Sequence, residues 1–275
     1  MNIKTKIKLN NGVEMPIFGL GVYRAPSGEE TQNAVRYALE AGYRHIDTAK
    51  IYGNERDVGI AVHNSFSGIP RDEIFITTKL WNSDHGYDST ITACNESLKK
   101  LGLKYLDLYL VHWPVETLRG ETWKAMEYLL EEGKCRAIGV SNYMIHHLKE
   151  LLETAKIVPA VNQVEFSPYL FRKDLLEFCR SQGIQFESYS PLTKGRKLKD
   201  PKLVSLGSKY SKTPAQILIR WALEHQIVVI PKSTNEGRIY ENANVFDFHI
   251  LEEDMNLLNS FDEGLVTGWD PTNAP

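Results

Sequence analysis

The chain is 275 residues long with a formal net charge of −3, and charges of both signs are interspersed along its length. A basic field for nucleic acid and a polybasic stretch for a lipid surface are therefore excluded, and no apolar run approaches the roughly 20 residues of a spanning helix. Met1 to Lys6 lacks the apolar core of a secretory signal, and Cys94, Cys135 and Cys179 are too few and too widely spaced for a disulfide framework. A cytosolic protein with reduced thiols and small-molecule partners is expected, monomeric or weakly associating, with residues 1–275 forming one domain and no linker inside it.

In chain order, Lys6-Ile7-Lys8-Leu9, Asn10-Asn11-Gly12 and Val13-Glu14-Met15 read as a hairpin, the Asn-Gly pair supplying the positive φ angles of a tight turn. Ile17 to Gly21 is the first of a series of short apolar runs. Helical periodicity is predicted to begin near Glu29, Glu55, Tyr87, Arg119, Met144, Arg172, Lys202, Thr213 and Glu236, with the apolar runs falling between these points. Alternation carried to about eight βα units suits a closed (β/α)8 TIM barrel better than an open sheet, with the leading hairpin plugging the lower end and a short C-terminal loop after the last unit. Gly19-Leu20-Gly21 starts like a dinucleotide fingerprint but has no third glycine, so any nucleotide must be held some other way.

Many of these runs end on residues capable of proton chemistry. His45-Ile46-Asp47 leads to Tyr52, Ile74 to Thr78 delivers Lys79, and Leu106 to Val111 delivers His112. Ligands of parallel α/β sheets sit at the carboxyl ends of the strands, so one site assembled from the whole chain is predicted there. A free tyrosine titrates near 10. Lys79 within hydrogen-bond reach would stabilise the phenolate of Tyr52, Asp47 would keep Lys79 charged and fixed, and His112 could donate to a carbonyl oxygen. Taken singly, an Asp, Lys or His at a strand end is more often a loop hydrogen-bonder or ion pair. Their origin in consecutive units at one end of one sheet favours convergence.

The ordered stretches Gly42 to Ala49, Tyr52-Gly53-Asn54-Glu55, Thr78-Lys79-Leu80-Trp81, Leu106 to Pro114, Gly139-Val140-Ser141-Asn142 and Ile230-Pro231-Lys232-Ser233 closely resemble the signatures of the aldo-keto reductase superfamily. Within it, the chain looks most similar to the microbial and protozoan branch with glyoxal reductases, diketogluconate reductases and prostaglandin F synthases. The resemblance implies a carbonyl reductase using NADPH/NADP+, with Tyr52 as general acid, Lys79 and Asp47 tuning it, and His112 orienting the carbonyl. It also implies Ser141, Asn142 and Gln163 on the cofactor's carboxamide, Tyr189 stacked on the nicotinamide, and Ser190 and Leu192 along the pyrophosphate.

Lys232, Ser233 and Arg238 read as a compact cage for a phosphate monoester, the group that NADPH carries and NADH lacks, although two ordinary surface cations at a helix start would look the same in composition. Glu241 and Asn242 resemble the pair that contacts adenine. Trp81, Trp113 and Tyr23 are expected to wall the substrate pocket, Tyr23 standing where relatives often have Trp. The tail around Trp269 either folds over the barrel mouth or is disordered. Two other classes fit less well: a regulatory subunit that keeps the nucleotide, for which no insertion or apolar face provides a partner surface, and a metal-dependent hydrolase, for which His45, Asp47 and His112 are too few ligands beside Lys79.

Overall fold

The computed structural model describes residues 1–275. Strands β1 (Lys6–Lys8) and β2 (Glu14–Pro16) pair antiparallel, with Ile7 opposite Met15. The loop between them is closed by the Leu9 N–H donating to the Val13 carbonyl at 2.8 Å and the Gly12 N–H donating to the Leu9 carbonyl at 2.9 Å. Of the Asn-Gly pair only Gly12, at φ 88°, is left-handed. The loop therefore spans Asn10-Asn11-Gly12 between Leu9 and Val13, as expected, and it ends on a left-handed glycine. Leu9 and Met15 point into the barrel floor against Phe75, Leu108, Leu110, Ala137, Val161 and Val228, and the hairpin closes the lower end as expected.

Eight parallel strands follow: β3 (Leu20–Gly21), β4 (His45–Asp47), β5 (Phe75–Leu80), β6 (Leu106–Val111), β7 (Cys135–Ser141), β8 (Val161–Glu165), β9 (Gln185–Tyr189) and β10 (Val228–Val229). Each pairs with its neighbour in sequence, and parallel bridges Phe18↔Val229 and Gly21↔Lys232 join the last strand to the first. The ring is thus the expected (β/α)8 barrel.

The helices are α1 (Glu29–Glu40), α2 (Glu55–Ser65), α3 (Tyr87–Leu101), α4 (Arg119–Glu131), α5 (Ile145–Thr154), α6 (Lys173–Ser181), α7 (Pro201–Tyr210), α8 (Pro214–Glu224), α9 (Glu236–Ala243) and α10 (Glu252–Asn259). Their apolar faces pack on the outside of the ring, where Trp221 of α8 stacks on Phe166. Helix α8 starts where Thr213 and Gln216 cap each other reciprocally, Thr213 Oγ1 accepting from the Gln216 N–H and Gln216 Oε1 from the Thr213 N–H. The helix α10 was not among the predicted starts. Only Asp254 and Leu258 of it are buried, too few for a periodic signal, and its acidic first turn was the legible cue. No helix is long and apolar enough to cross a membrane.

Strand period two sorts the interior into layers. Below lie the apolar residues that meet the hairpin; above them come His45, Thr77, Gln163 and Glu187, all buried. Asp47 and Lys79 stand one pleat higher on β4 and β5. The imidazole of His45 lies across Gly19, where a Cβ would sit 2.6 Å from its Nδ1. This close approach accounts for the first glycine of the truncated Gly-x-Gly.

Candidate active site

Parallel register brings the ends of β4, β5 and β6 side by side, Asp47 opposite Thr77 and Lys79 opposite Leu110. Lys79 Nζ donates to Asp47 Oδ1 at 2.6 Å, to the Thr48 carbonyl at 2.9 Å and to Tyr52 Oη at 3.5 Å. Tyr52 arrives on a single 310 turn (Lys50–Tyr52) ended by left-handed Gly53, which turns its ring back over the mouth. The His112 ring meets Tyr52 edge-on, with centroids 5.7 Å apart. The four residues expected to converge do so.

Their electrostatics differ from the expectation in one respect. Burial, followed by the nearby Asp47 carboxylate, holds the Tyr52 phenol well above its ordinary pKa, so Lys79 does not make the resting phenol acidic. At 3.5 Å the ammonium is too far from Oη to outweigh desolvation. Tyr52 is instead kept protonated. Because Lys79 donates to the phenol oxygen, the phenolic hydrogen remains available to another acceptor. Burial, then the Lys79 charge, holds His112 well below the usual imidazole range, so its ring is neutral at pH 7. Burial also raises the Asp47 carboxyl, opposed by the Lys79 ammonium and by a 2.8 Å hydrogen bond from Gln163 Nε2.

Around the mouth, Asn142 adopts φ 64° at the end of β7, a left-handed conformation that asparagine tolerates. Its Nδ2 donates to the His112 carbonyl at 3.0 Å, and its Oδ1 accepts from Tyr189 Oη at 2.8 Å. Ser141 Oγ donates to the Gln163 carbonyl at 2.8 Å. These contacts fix the flat face of Tyr189 at the rim. Ser190 and Leu192 follow in a loop in which Ser190, Thr193 and Lys194 all have positive φ.

Burial lowers the Lys232 ammonium, opposed by Glu30 and reinforced by the nearby Arg238, and neither cation is held in an ion pair. Ser233 Oγ accepts from the Asn235 N–H, and Asn235 caps α9 through the Arg238 N–H. Two unpaired cations beside a hydroxyl at a helix start suit a phosphate dianion. Glu241 of α9 accepts from Thr213 Oγ1 at 2.7 Å, and Asn242 is buried behind it.

The tail folds over the mouth. Glu165, at the end of β8, accepts from the backbone of Thr267 (3.0 Å) and Gly268 (3.2 Å) and from Thr267 Oγ1, while Lys194 Nζ donates to the Thr267 carbonyl at 2.8 Å. Trp269 consequently lies 5.9 Å from Trp81 and 5.8 Å from Trp113, ring centroid to centroid. Tyr23 packs on Tyr52 at 5.0 Å. Tyr23 and Trp269 stay 43% and 64% exposed, leaving the slot between them open on one side.

Sequence reasoning gave Glu165, Lys194 and Glu187 no role at the site. Glu187 was legible in principle, since two residues before Tyr189 on a strand means the same inward face. Glu165 was not, because its partners are more than one hundred residues away.

The model of the Aldo/keto reductase family matches residues 17–263. The chain is 52% identical over 270 residues to a 9,11-endoperoxide prostaglandin H2 reductase of Trypanosoma cruzi (97% of this chain, 95% of the relative). It is 49% identical over 270 residues to a glyoxal reductase of Bacillus subtilis (98% and 97%). The crystal structure of a Bombyx mori aldo-keto reductase in complex with NADP superposes with a TM-score of 0.90 at 38% identity, covering 96% of this chain and 94% of that one.

Proposed function

This chain belongs to the aldo/keto reductase family and is a carbonyl-reducing oxidoreductase, and on that premise we propose that it uses NADPH and that Tyr52 delivers the proton. The observation that carries the reading is the buried set in which Lys79 Nζ touches both Asp47 and Tyr52 beneath an aromatic slot. When bound, NADPH supplies the hydride to the carbonyl carbon.

The protein's own residues account for the rest. Neutral His112 and the Tyr52 hydroxyl both donate to the carbonyl oxygen and hold it in place. As charge develops on that oxygen, Tyr52 gives up its proton, and the phenolate left behind forms beside the Lys79 ammonium. Lys79 thus acts on the transition state rather than on the resting phenol, which is where stabilisation raises the rate. Asp47, 2.6 Å away, holds the Lys79 ammonium in place beside the phenol.

The donor set fits the cofactor. Lys232, Ser233 and Arg238 would hold the 2′-phosphate, with Glu241 and Asn242 beside the adenine. Ser190 and Leu192 would line the pyrophosphate, Tyr189 would stack on the nicotinamide, and Ser141, Asn142 and Gln163 would meet the carboxamide. Tyr23, Trp81, Trp113 and Trp269 would bind the apolar part of small aldehydes, dicarbonyls or ketones. The Trypanosoma and Bacillus relatives named for prostaglandin H2 and glyoxal make a pocket of broad size range reasonable. The test is NADPH consumption with methylglyoxal and with a nitrobenzaldehyde, repeated with Tyr52→Phe; an unimpaired variant would remove Tyr52 from its role.

A further inference from the structure

Inside the barrel, below the ion pair, the Gln163 amide lies between two carboxyl groups. Its Nε2 donates to Asp47 Oδ2 at 2.8 Å and to Glu187 Oε2 at 3.1 Å. An amide nitrogen has two hydrogens, so both are used, and no protein donor reaches the Gln163 Oε1. The reverse orientation would set Oε1 against the Asp47 carboxylate, which only accepts, and would take from Glu187 Oε2 the donor it now has, so the two carboxyls together decide which way the amide faces. Asp47 alone would not hold it, because the second hydrogen would have no partner.

Glu187 is fully buried, and its other oxygen, Oε1, has no hydrogen-bond partner and lies 3.8 Å from His45 Nε2. The titratable and polar groups around it are His45 and Asp47 from β4, Tyr52, Lys79 from β5 and Gln163 from β8, while β10 offers Val228 in register. An ionised carboxylate half without partners in such a place is costly. Burial and the Asp47 charge push the Glu187 carboxyl up to about 8, so it is neutral at physiological pH. The cluster then has one cation, Lys79, and one anion, Asp47, and Glu187 contributes an acceptor without a second negative charge.

We propose that Glu187 is a positioning residue for the reduction: it locks the Gln163 amide with both hydrogens directed inward, so that Oε1 alone faces the mouth, as an acceptor for the amide hydrogens of the nicotinamide carboxamide. The role rests on the mouth being a nicotinamide site, and the unmodified chain tests that separately.

NADPH dissociation constants by fluorescence titration, together with kcat and KM on methylglyoxal, are to be measured for the unmodified chain, Glu187→Leu, Glu187→Gln, Gln163→Leu and the Glu187→Leu/Gln163→Leu double variant. Glu187→Leu is expected to weaken NADPH binding about three- to tenfold, the scale of one net hydrogen bond. Glu187→Gln can turn its own Oε1 to the Gln163 amide and should restore binding to within about twofold. The double variant should be no weaker than Gln163→Leu alone, because both changes act through one amide. Should Glu187→Leu not fold, Glu187→Met, unbranched and of similar length, takes its place. Unchanged affinity in a folded Glu187→Leu or Glu187→Met, additive losses in the double variant, or a tenfold loss in a folded Glu187→Gln would each overturn the proposal. Failure of the unmodified chain to bind NADPH would end the nicotinamide reading and this role with it.

Discussion

Lys79 Nζ and Asp47 Oδ1 are 2.6 Å apart, with the Lys79 side chain fully buried and that of Asp47 only 3% exposed. An ion pair so deeply buried is weak evidence of net stability, but breaking it from one side strands a charge. Lys79→Met is therefore expected to destabilise the fold by about 3–5 kcal/mol, the cost of an uncompensated buried charge. Adding Asp47→Asn should recover much of that in urea melts while turnover stays lost. A double variant with restored activity would mean that the pair holds the barrel and takes no part in the reaction.

Tyr52→Phe removes the donor and leaves the ring contacts with Tyr23 and His112. A fall in kcat of about 10²- to 10⁴-fold is expected, the range of general acid catalysis, with NADPH affinity unchanged. Stopped-flow single turnovers separate the two quantities. An equal loss in binding and rate would point to packing instead of proton delivery.

At the other end of the proposed cofactor site, Lys232→Ala and Arg238→Ala should each weaken NADPH by about 10- to 100-fold, the value of a charge-assisted hydrogen bond. NADH kinetics should be nearly untouched. The two cofactors compared on each variant provide the check, and parallel losses would show that the cations do not read the phosphate.

Glu165 ties the tail down through Thr267 and Gly268, and thereby sets Trp269 against Trp81 and Trp113. Glu165→Ala is expected to raise KM for aromatic aldehydes by about three- to tenfold, in keeping with the 0.5–1.5 kcal/mol of aromatic pairing. Methylglyoxal, too small to span the slot, should be unaffected. If both substrates respond alike, the tail does not shape the pocket.

The barrel interior should also leave a mark on stability against pH. The Glu187 carboxyl is raised from 4.5 to about 8, so between these values the folded state keeps a proton that the unfolded chain has released. Stability from this group is complete below 4.5 and is lost as pH rises through about 8. His45, held down from 6.5 to about 3 by burial and then by Lys79, acts in the other direction: its contribution is present above 6.5 and is lost as pH falls toward 3. Glu187→Gln should flatten the fall of the urea midpoint between pH 4.5 and about 8 and leave the slope below 4.5 unchanged. Parallel curves for both proteins would show that Glu187 is not protonated in the fold.

The barrel was legible because alternation of short apolar runs with 3.6-residue patterns is a local property, repeated often enough to outweigh errors at any one element. The quartet was legible for a related reason, since Asp47, Lys79 and His112 each stand at or just past the end of a strand and parallel strands end together. The helix α10 escaped because so little of it is buried. Residue types and their spacing by themselves determined the architecture and which groups meet at the mouth. Only the tertiary structure decided their protonation and orientation: the phenol kept neutral, the Gln163 amide turned between two carboxyls, and Trp269 drawn over the slot by Glu165. Those outcomes depend on desolvation and on hydrogen bonds between residues far apart in the chain, quantities that do not exist until the ring has closed.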